Sequence, residues 1–197
     1  MSAPRLILFT PSLEAASIAS CAAMLAAAAA NADVACVVVP PAAALREAAM
    51  APLLRFAAQH DVALLAKDAL PEAAKAGFDG LHVDAGEAAI AEALKALKPD
   101  KIVGAGGLST RDEAMTAAEA GADYVMFGED GDARRAVALI AWWSEVMEPP
   151  CAGFANTLAD IAAFAAAGAD FVALAPLLWQ GRGSAIAEAR AALEGQA

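Results

Sequence analysis

Lys67-Asp68, His82-Val-Asp84 and Glu87 carry, within a short span of chain, the groups from which phosphate and metal sites are built. An ammonium can hold a phosphate. Carboxylates are the hard oxygen ligands that Mg²⁺ takes in small number, with substrate phosphates and water supplying the rest. Asp68, Asp84 and Glu87 could therefore complete an oxygen site, with Lys67 on the phosphate. Each also has a plainer reading. Lys67-Asp68 can be a solvated pair at a loop start, His82 an interior ring with its nitrogens satisfied, and Glu87 a first-turn carboxylate favoured by the helix dipole. A second group is rich in glycine: Ile102-Val-Gly104-Ala-Gly106-Gly107 closes an apolar run shortly before Thr110, whose spacing to Glu113 is that of a capping box. Such glycines let a backbone approach phosphate at a helix N-terminus, or simply make a tight turn. A third, Gly181-Arg182-Gly183-Ser184, sets a guanidinium between two glycines before the last helix, and Asn156-Thr157 opens an earlier one.

These residues need a scaffold, and the chain shows one by repetition. Short apolar runs fall at Leu6–Thr10, Val34–Val39, Val62–Ala66, Gly80–Asp84, Ile102–Ala105, Tyr124–Gly128, Cys151–Phe154 and Phe171–Pro176. Alanine-rich segments of helical spacing lie between them, among them Ala42–Ala58, Glu87–Leu97, Arg111–Ala120 and Leu158–Ala167. The runs are apolar almost throughout, as strands covered on both faces must be. One phrase recurs before three of them: Gly77-Phe-Asp-Gly, Gly121-Ala-Asp-Tyr and Gly168-Ala-Asp-Phe. Each glycine suits the position just after a helix, and each Asp precedes a strand. Eight equal units in 197 residues predict a compact α/β fold, a single-domain (β/α)8 TIM barrel over residues 1–197; an open doubly wound sheet is the alternative. Ligands of such barrels meet the C-terminal strand ends, where the residues above fall. Trp142, Trp143 and Trp179 read as packing, and His60 as an exposed loop residue.

Composition narrows the partners. A formal net charge of −11 argues against nucleic acid, which needs clustered Lys and Arg, and leaves a small phosphorylated ligand open. Cys21, Cys36 and Cys151 are far apart, which reads as reduced thiols in a cytoplasmic protein. Residues 15–30 carry no charge, but alanine transfers weakly to a bilayer, so a buried first helix is expected rather than a signal or membrane segment. A homo-oligomer remains open.

The middle of the chain resembles the thiamine-phosphate synthase superfamily, which includes the related thiazole tautomerases. The family carries an N-D pair and then A-D-G-x-H-x-G-Q-x-D. Here Lys67-Asp68 takes the first place, Phe78-Asp-Gly-Leu-His82 follows at the same interval, and Glu87 stands at the last Asp. The next unit, V-G-x-S then E-A and G-A-D-Y-V-x-x-G, is matched by Val103-Gly-Ala-Gly106, Glu113-Ala and Gly121-Ala-Asp-Tyr-Val-Met-Phe-Gly128. The resemblance implies an enzyme that joins hydroxymethylpyrimidine diphosphate to thiazole phosphate. Asp68 and Glu87 would hold Mg²⁺ on the diphosphate, and Gly153 with the end of strand eight would take the thiazole phosphate. By position alone, Lys67, Gly104, Gly106, Arg182 and Gly183 are the further candidates for binding substrate phosphate.

The chain also departs from the family pattern. Val38-Val-Pro-Pro41 replaces the Q-x-R-x-K after strand two, and Asp84-Ala85 replaces G-Q. Glu129-Asp-Gly-Asp132 replaces T-x-T-K, Gly153-Phe-Ala155 replaces G-G-I, and Pro176 stands where a backbone N–H is wanted. Leu108 lies near the place of the tautomerase His. Two other readings follow: a non-catalytic or regulatory barrel that kept a small-ligand pocket, and a Schiff-base aldolase. The latter needs a buried lysine of lowered pKa, for which Lys67 is the strand-end lysine on offer.

Overall fold

The eight apolar runs form eight parallel strands in the computed structural model, which describes residues 3–40, 47–74, 77–180 and 184–194. They are β1 (Arg5–Phe9), β2 (Val34–Val39), β3 (Ala63–Lys67), β4 (Gly80–Val83), β5 (Ile102–Leu108), β6 (Tyr124–Phe127), β7 (Cys151–Ala155) and β8 (Phe171–Leu174). Each pairs with its successor, and β8 returns to β1, with Arg5 opposite Phe171 and Leu8 opposite Leu174. The ring is closed, so the barrel expectation holds against the open sheet. The helices are α1 (Ile18–Ala29), α2 (Glu47–His60), α3 (Leu70–Ala73), α4 (Glu87–Leu97), α5 (Arg111–Glu119), α6 (Ala133–Val146), α7 (Leu158–Ala166), α8 (Pro176–Trp179) and α9 (Ala185–Glu194).

Alternation along the strands divides the apolar residues into two cores. Leu6, Leu8, Val37, Leu64, Val103, Val125 and Val172 face the helices. Ile7, Phe9, Val38, Leu65, Tyr124, Met126 and Ala173 fill the barrel. The uncharged early segment is α1, which buries Cys21, Ala22, Leu25 and Ala28 as expected. Among the described residues no helix is long and apolar enough to cross a membrane.

The recurring Gly-x-Asp phrase proves to be one device used three times. Gly121 and Gly168, directly after the C-caps of α5 and α7, take φ of 103° and 94°, the left-handed turn that ends a helix; Gly77, at 94°, is left-handed too but lies three residues past Ala74, the C-cap of α3. The carboxylates two residues on accept backbone N–H groups of the preceding strand: Asp79 from Leu64 at 2.7 Å, Asp123 from Val103 at 2.7 Å and Asp170 from Cys151 at 2.8 Å. Each unit is thereby fastened to the one before it, at the end of the barrel opposite the mouth.

Some boundaries differ from expectation for local reasons. β5 continues through its glycines to Leu108, which pairs with Phe127 beyond a bulge. β8 stops at Leu174 because Pro176 opens α8, a position where its missing N–H costs nothing. His60 ends α2 beside Phe56, ring centres 5.2 Å apart, rather than sitting in a loop. The beginning of the expected Ala42–Ala58 helix lies outside the described residues. The tryptophans are packing residues: Trp143 Nε1 donates to the Pro149 carbonyl at 2.7 Å, Trp179 Nε1 to that of Phe9 at 3.0 Å, and Trp142 lies under the Arg111 guanidinium.

The capping box is present as well. Thr110 Oγ1 accepts the Glu113 N–H at 3.2 Å, and Glu113 Oε2 accepts the Thr110 N–H at 3.0 Å. Thr110→Ala is expected to lower stability by about 1 kcal/mol, the usual worth of a side-chain cap. Urea unfolding should show a lower midpoint with an unchanged slope; no shift would mean that Glu113 alone holds this helix start.

Candidate active site at the barrel mouth

At the C-terminal ends of β3 to β6 the barrel gathers a connected polar cluster. The ladder sets Lys67 opposite His82 and His82 opposite Gly104. Just past the end of β3, Asp68 takes φ of 48°, a left-handed conformation that Asp tolerates better than most residues. Its N–H extends the ladder to the His82 carbonyl at 2.9 Å, and its Oδ1 accepts the Asp84 N–H at 2.9 Å. Lys67 Nζ is hydrogen-bonded to Asp84 Oδ2 and lies 3.4 Å from Asp68 Oδ2, so one ammonium serves two carboxylates.

That sharing sets their protonation. Burial works against the Lys67 charge, but the hydrogen bond and charge of Asp84, then the charges of Asp68 and Glu129, outweigh it and hold the ammonium above its ordinary range. A Schiff-base lysine needs the opposite shift, so the aldolase alternative loses its nucleophile. Burial, and then the hydrogen bond shared with Asp84, raise the Asp68 carboxyl. Burial would also raise Asp84, but the hydrogen bonds from Asp68 and Lys67 overcome it and hold Asp84 low. On acidification the first proton of this pair enters Asp68.

The second half of the cluster lies inside the barrel. His82 is fully buried, with Phe9 edge-on at 5.2 Å and the Tyr124 ring stacked at 5.8 Å. Its Nδ1 is 2.8 Å from the Tyr124 hydroxyl, and its Nε2 is 3.0 Å from Glu129 Oε1. Burial pushes the Tyr124 phenol well above its ordinary range, so it keeps its proton and can donate it to Nδ1. A carboxylate only accepts, which places the remaining imidazole proton on Nε2, facing Glu129. The other Glu129 oxygen accepts the Gly107 N–H at 2.6 Å.

The two glycines of β5 make this meeting possible. A Cβ on Gly104 would stand 2.1 Å from Tyr124 Cζ, and one on Gly106 would stand 2.2 Å from Glu129 Oε2 and 2.5 Å from His82 Nε2. Both positions face the barrel, and their bareness lets side chains from β4 and from β6 and the loop after it reach across the strand between them. The geometry thus gives Gly104 and Gly106 a spacing role, whether or not a phosphate also approaches.

The remaining candidates are more scattered. Glu87, exposed in the first turn of α4, lines a groove of about 210 Å³ with Gly106, Gly107 and Glu113. Among the described residues no three His, Cys, Asp or Glu side chains form a group that could hold a metal ion. Mg²⁺ nonetheless fits the chemistry of Asp68 and Glu87, since it is content with one or two carboxylates beside substrate phosphates. Gly153 turns toward the helices, where a Cβ would stand 2.5 Å from Phe164, so its direct offer to a ligand is its backbone. Arg182 and Gly183 lie outside the described residues.

Glu129 and Tyr124 had not been singled out as site residues. For Tyr124 the signal was in the strand alternation, since Tyr124 and His82 are inward residues on strands that flank an inward glycine; Glu129, in the loop after β6, had no such signal.

A closed parallel barrel with an ammonium–carboxylate–imidazole cluster at its strand C-termini defines a (β/α)8 protein whose candidate site lies where the ligands of such barrels meet the strands. The family model for thiamine monophosphate synthase matches residues 10–177, and the chain belongs to that family. The thiamine-phosphate synthase of Erythrobacter litoralis is 35% identical over 140 residues, 66% of this chain and 66% of that protein. That of Rhodospirillum centenum is 34% identical over 147 residues, 69% and 71% of the two chains. The matches thus span about two thirds of the length of these relatives. The thiamine phosphate pyrophosphorylase of Pyrococcus furiosus superimposes with a TM-score of 0.76, covering 98% of this chain and 96% of its own at 17% identity, a likeness of fold.

Proposed function

We propose that the chain is a thiamine-phosphate synthase-like transferase of low turnover, joining hydroxymethylpyrimidine diphosphate to thiazole phosphate. The observation that carries this reading is Asp68, anchored at the mouth by the Asp84 N–H beside the Lys67 ammonium. In the reaction the bond from the pyrimidine methylene carbon to the diphosphate oxygen breaks, the diphosphate keeping the electron pair. The thiazole nitrogen then supplies the pair for the new C–N bond. Lys67 would meet the diphosphate as it takes on charge. Mg²⁺ held by Asp68 and Glu87 would supply further neutralisation of the leaving group. Gly153 and the Arg182–Gly183 segment would take the thiazole phosphate through backbone and guanidinium donors.

Low turnover follows from what the mouth lacks and what it already uses. Val38–Pro41 offers no cation after β2. Lys67 is shared by two carboxylates, and Arg135 of the segment after β6 is paired with Asp130 and Asp132. Removing one electrostatic donor costs other enzymes about 10²–10³-fold in rate, and here several are missing or engaged. Thiamine phosphate formation by purified protein with Mg²⁺ and both precursors is therefore expected at least about 10²-fold below the usual 1–10³ s⁻¹. A rate within about tenfold of ordinary enzymes would show these losses to be compensated. No product at all, with both precursors bound, would favour the non-catalytic ligand-binding barrel.

A further inference from the structure

The Glu129 carboxylate is held as a bound anion is held. One oxygen lies on a ring nitrogen of a fully buried histidine and the other on the backbone N–H of Gly107 near the end of β5, at 3.0 and 2.6 Å. Its side chain is 9% exposed. Tyr124 fixes the imidazole tautomer so that Nε2–H points outward to the carboxylate, and Gly106 leaves the space in which it sits. Lys67 stands opposite His82 in the β3–β4 ladder, at the same end of the barrel. Without the carboxylate, His82 Nε2–H and Gly107 N–H would be two convergent donors at the barrel mouth with an ammonium nearby, a combination suited to a phosphate oxygen.

We propose that Glu129 is a resident anion occupying an anion-binding site formed by His82 Nε2–H and the Gly107 N–H, so that a phosphate group binds at this face of the mouth only by displacing it. Glu129 satisfies the buried His82 Nε2–H and the more exposed Gly107 N–H, and it competes for them from within the chain, where its local concentration is fixed by the fold. The inference does not depend on the transferase reading, because it concerns the donors alone.

The test uses inorganic phosphate and pyrophosphate as probes, with calorimetry on the full chain and its Glu129→Gln and Glu129→Ser variants at one ionic strength. Gln removes the charge while keeping the bulk, and Ser removes both. Phosphate is expected to bind Glu129→Ser at least tenfold more tightly than the unsubstituted protein, with Glu129→Gln between them. In ¹⁵N spectra the Gly107 amide and the His82 ring nitrogens should move on phosphate addition in the variants, at concentrations that leave the unsubstituted protein unchanged. Equal affinity in all three proteins, or tighter binding with no movement at Gly107 and His82, would overturn the proposal. If Glu129→Ser fails to fold, the same comparison is made with Glu129→Gln, and a gain below twofold overturns it.

Discussion

Gly104→Ala is expected to destabilise the protein by about 2–6 kcal/mol, a large penalty for adding one methyl group. The new Cβ would stand 2.1 Å from Tyr124 Cζ and 2.4 Å from its hydroxyl oxygen, inside contact distance. A flexible neighbour could move aside, but this ring is buried in the barrel, stacked on His82 and hydrogen-bonded to its Nδ1. Overpacking of this kind costs about 1–3 kcal/mol. Pushing the phenol off His82 strands a buried donor and acceptor, at about a further 1–3 kcal/mol. Urea unfolding measures the sum, and a double-mutant cycle identifies the cause. Tyr124→Leu should be costly alone yet relieve much of the Gly104→Ala penalty, giving a coupling of more than about 1 kcal/mol between the sites. A Gly104→Ala protein within about 0.5 kcal/mol of the original would mean that the barrel interior can yield at this level.

The same pair of residues shows where reading a sequence succeeds and where it stops. Gly77-Phe-Asp79, Gly121-Ala-Asp123 and Gly168-Ala-Asp170 are local devices: a left-handed glycine turns the chain toward the next strand and the Asp ties that strand start to its neighbour, within one repeat unit. Their spacing alone is enough to count units, and so the barrel was legible. Thr110 and Glu113 were legible for the same reason, since both halves of the capping box lie within one turn. The contact of His82 with Glu129 is of another kind. It spans 47 positions and depends on the register of three strands and on two glycines in the middle one. Gly104 and Gly106 invited a phosphate reading because bare backbone suits a phosphate; bare backbone equally suits a neighbouring ring, and here the ring is present. Lys67, Asp68 and Asp84 stand close together in the sequence and were read as a phosphate and metal site; in the fold they pair with one another. Which charge met which turned on one register, Lys67 opposite His82, that periodicity does not supply.

Lys67→Met is expected to cost about 1–3 kcal/mol at pH 7, and the loss should depend on pH in a way that simple loss of packing would not. Breaking a buried ion pair costs about 3–5 kcal/mol, but surface pairs are worth about 0–1, and these side chains are a quarter exposed, which places the value between. The sign of the pH dependence follows from the shifts. Asp84 is held low, so its contribution is present above the unfolded value near 3.9 and is lost as pH falls through the folded one. Lys67 is held high, so its contribution is present below about 10.4 and is lost as pH rises through its folded value. Both are intact between about pH 5 and pH 10, where the variant's deficit should form a plateau. In Lys67→Met the two carboxylates face each other without a cation, and acidification relieves the repulsion when Asp68, already raised, takes a proton. The deficit should therefore shrink by at least half between pH 7 and pH 4. Urea midpoints of both proteins at pH 4, 5, 7 and 9 would show it. A deficit constant across that range would mean that Lys67 stabilises the mouth through its alkyl stem, with its charge making no net contribution.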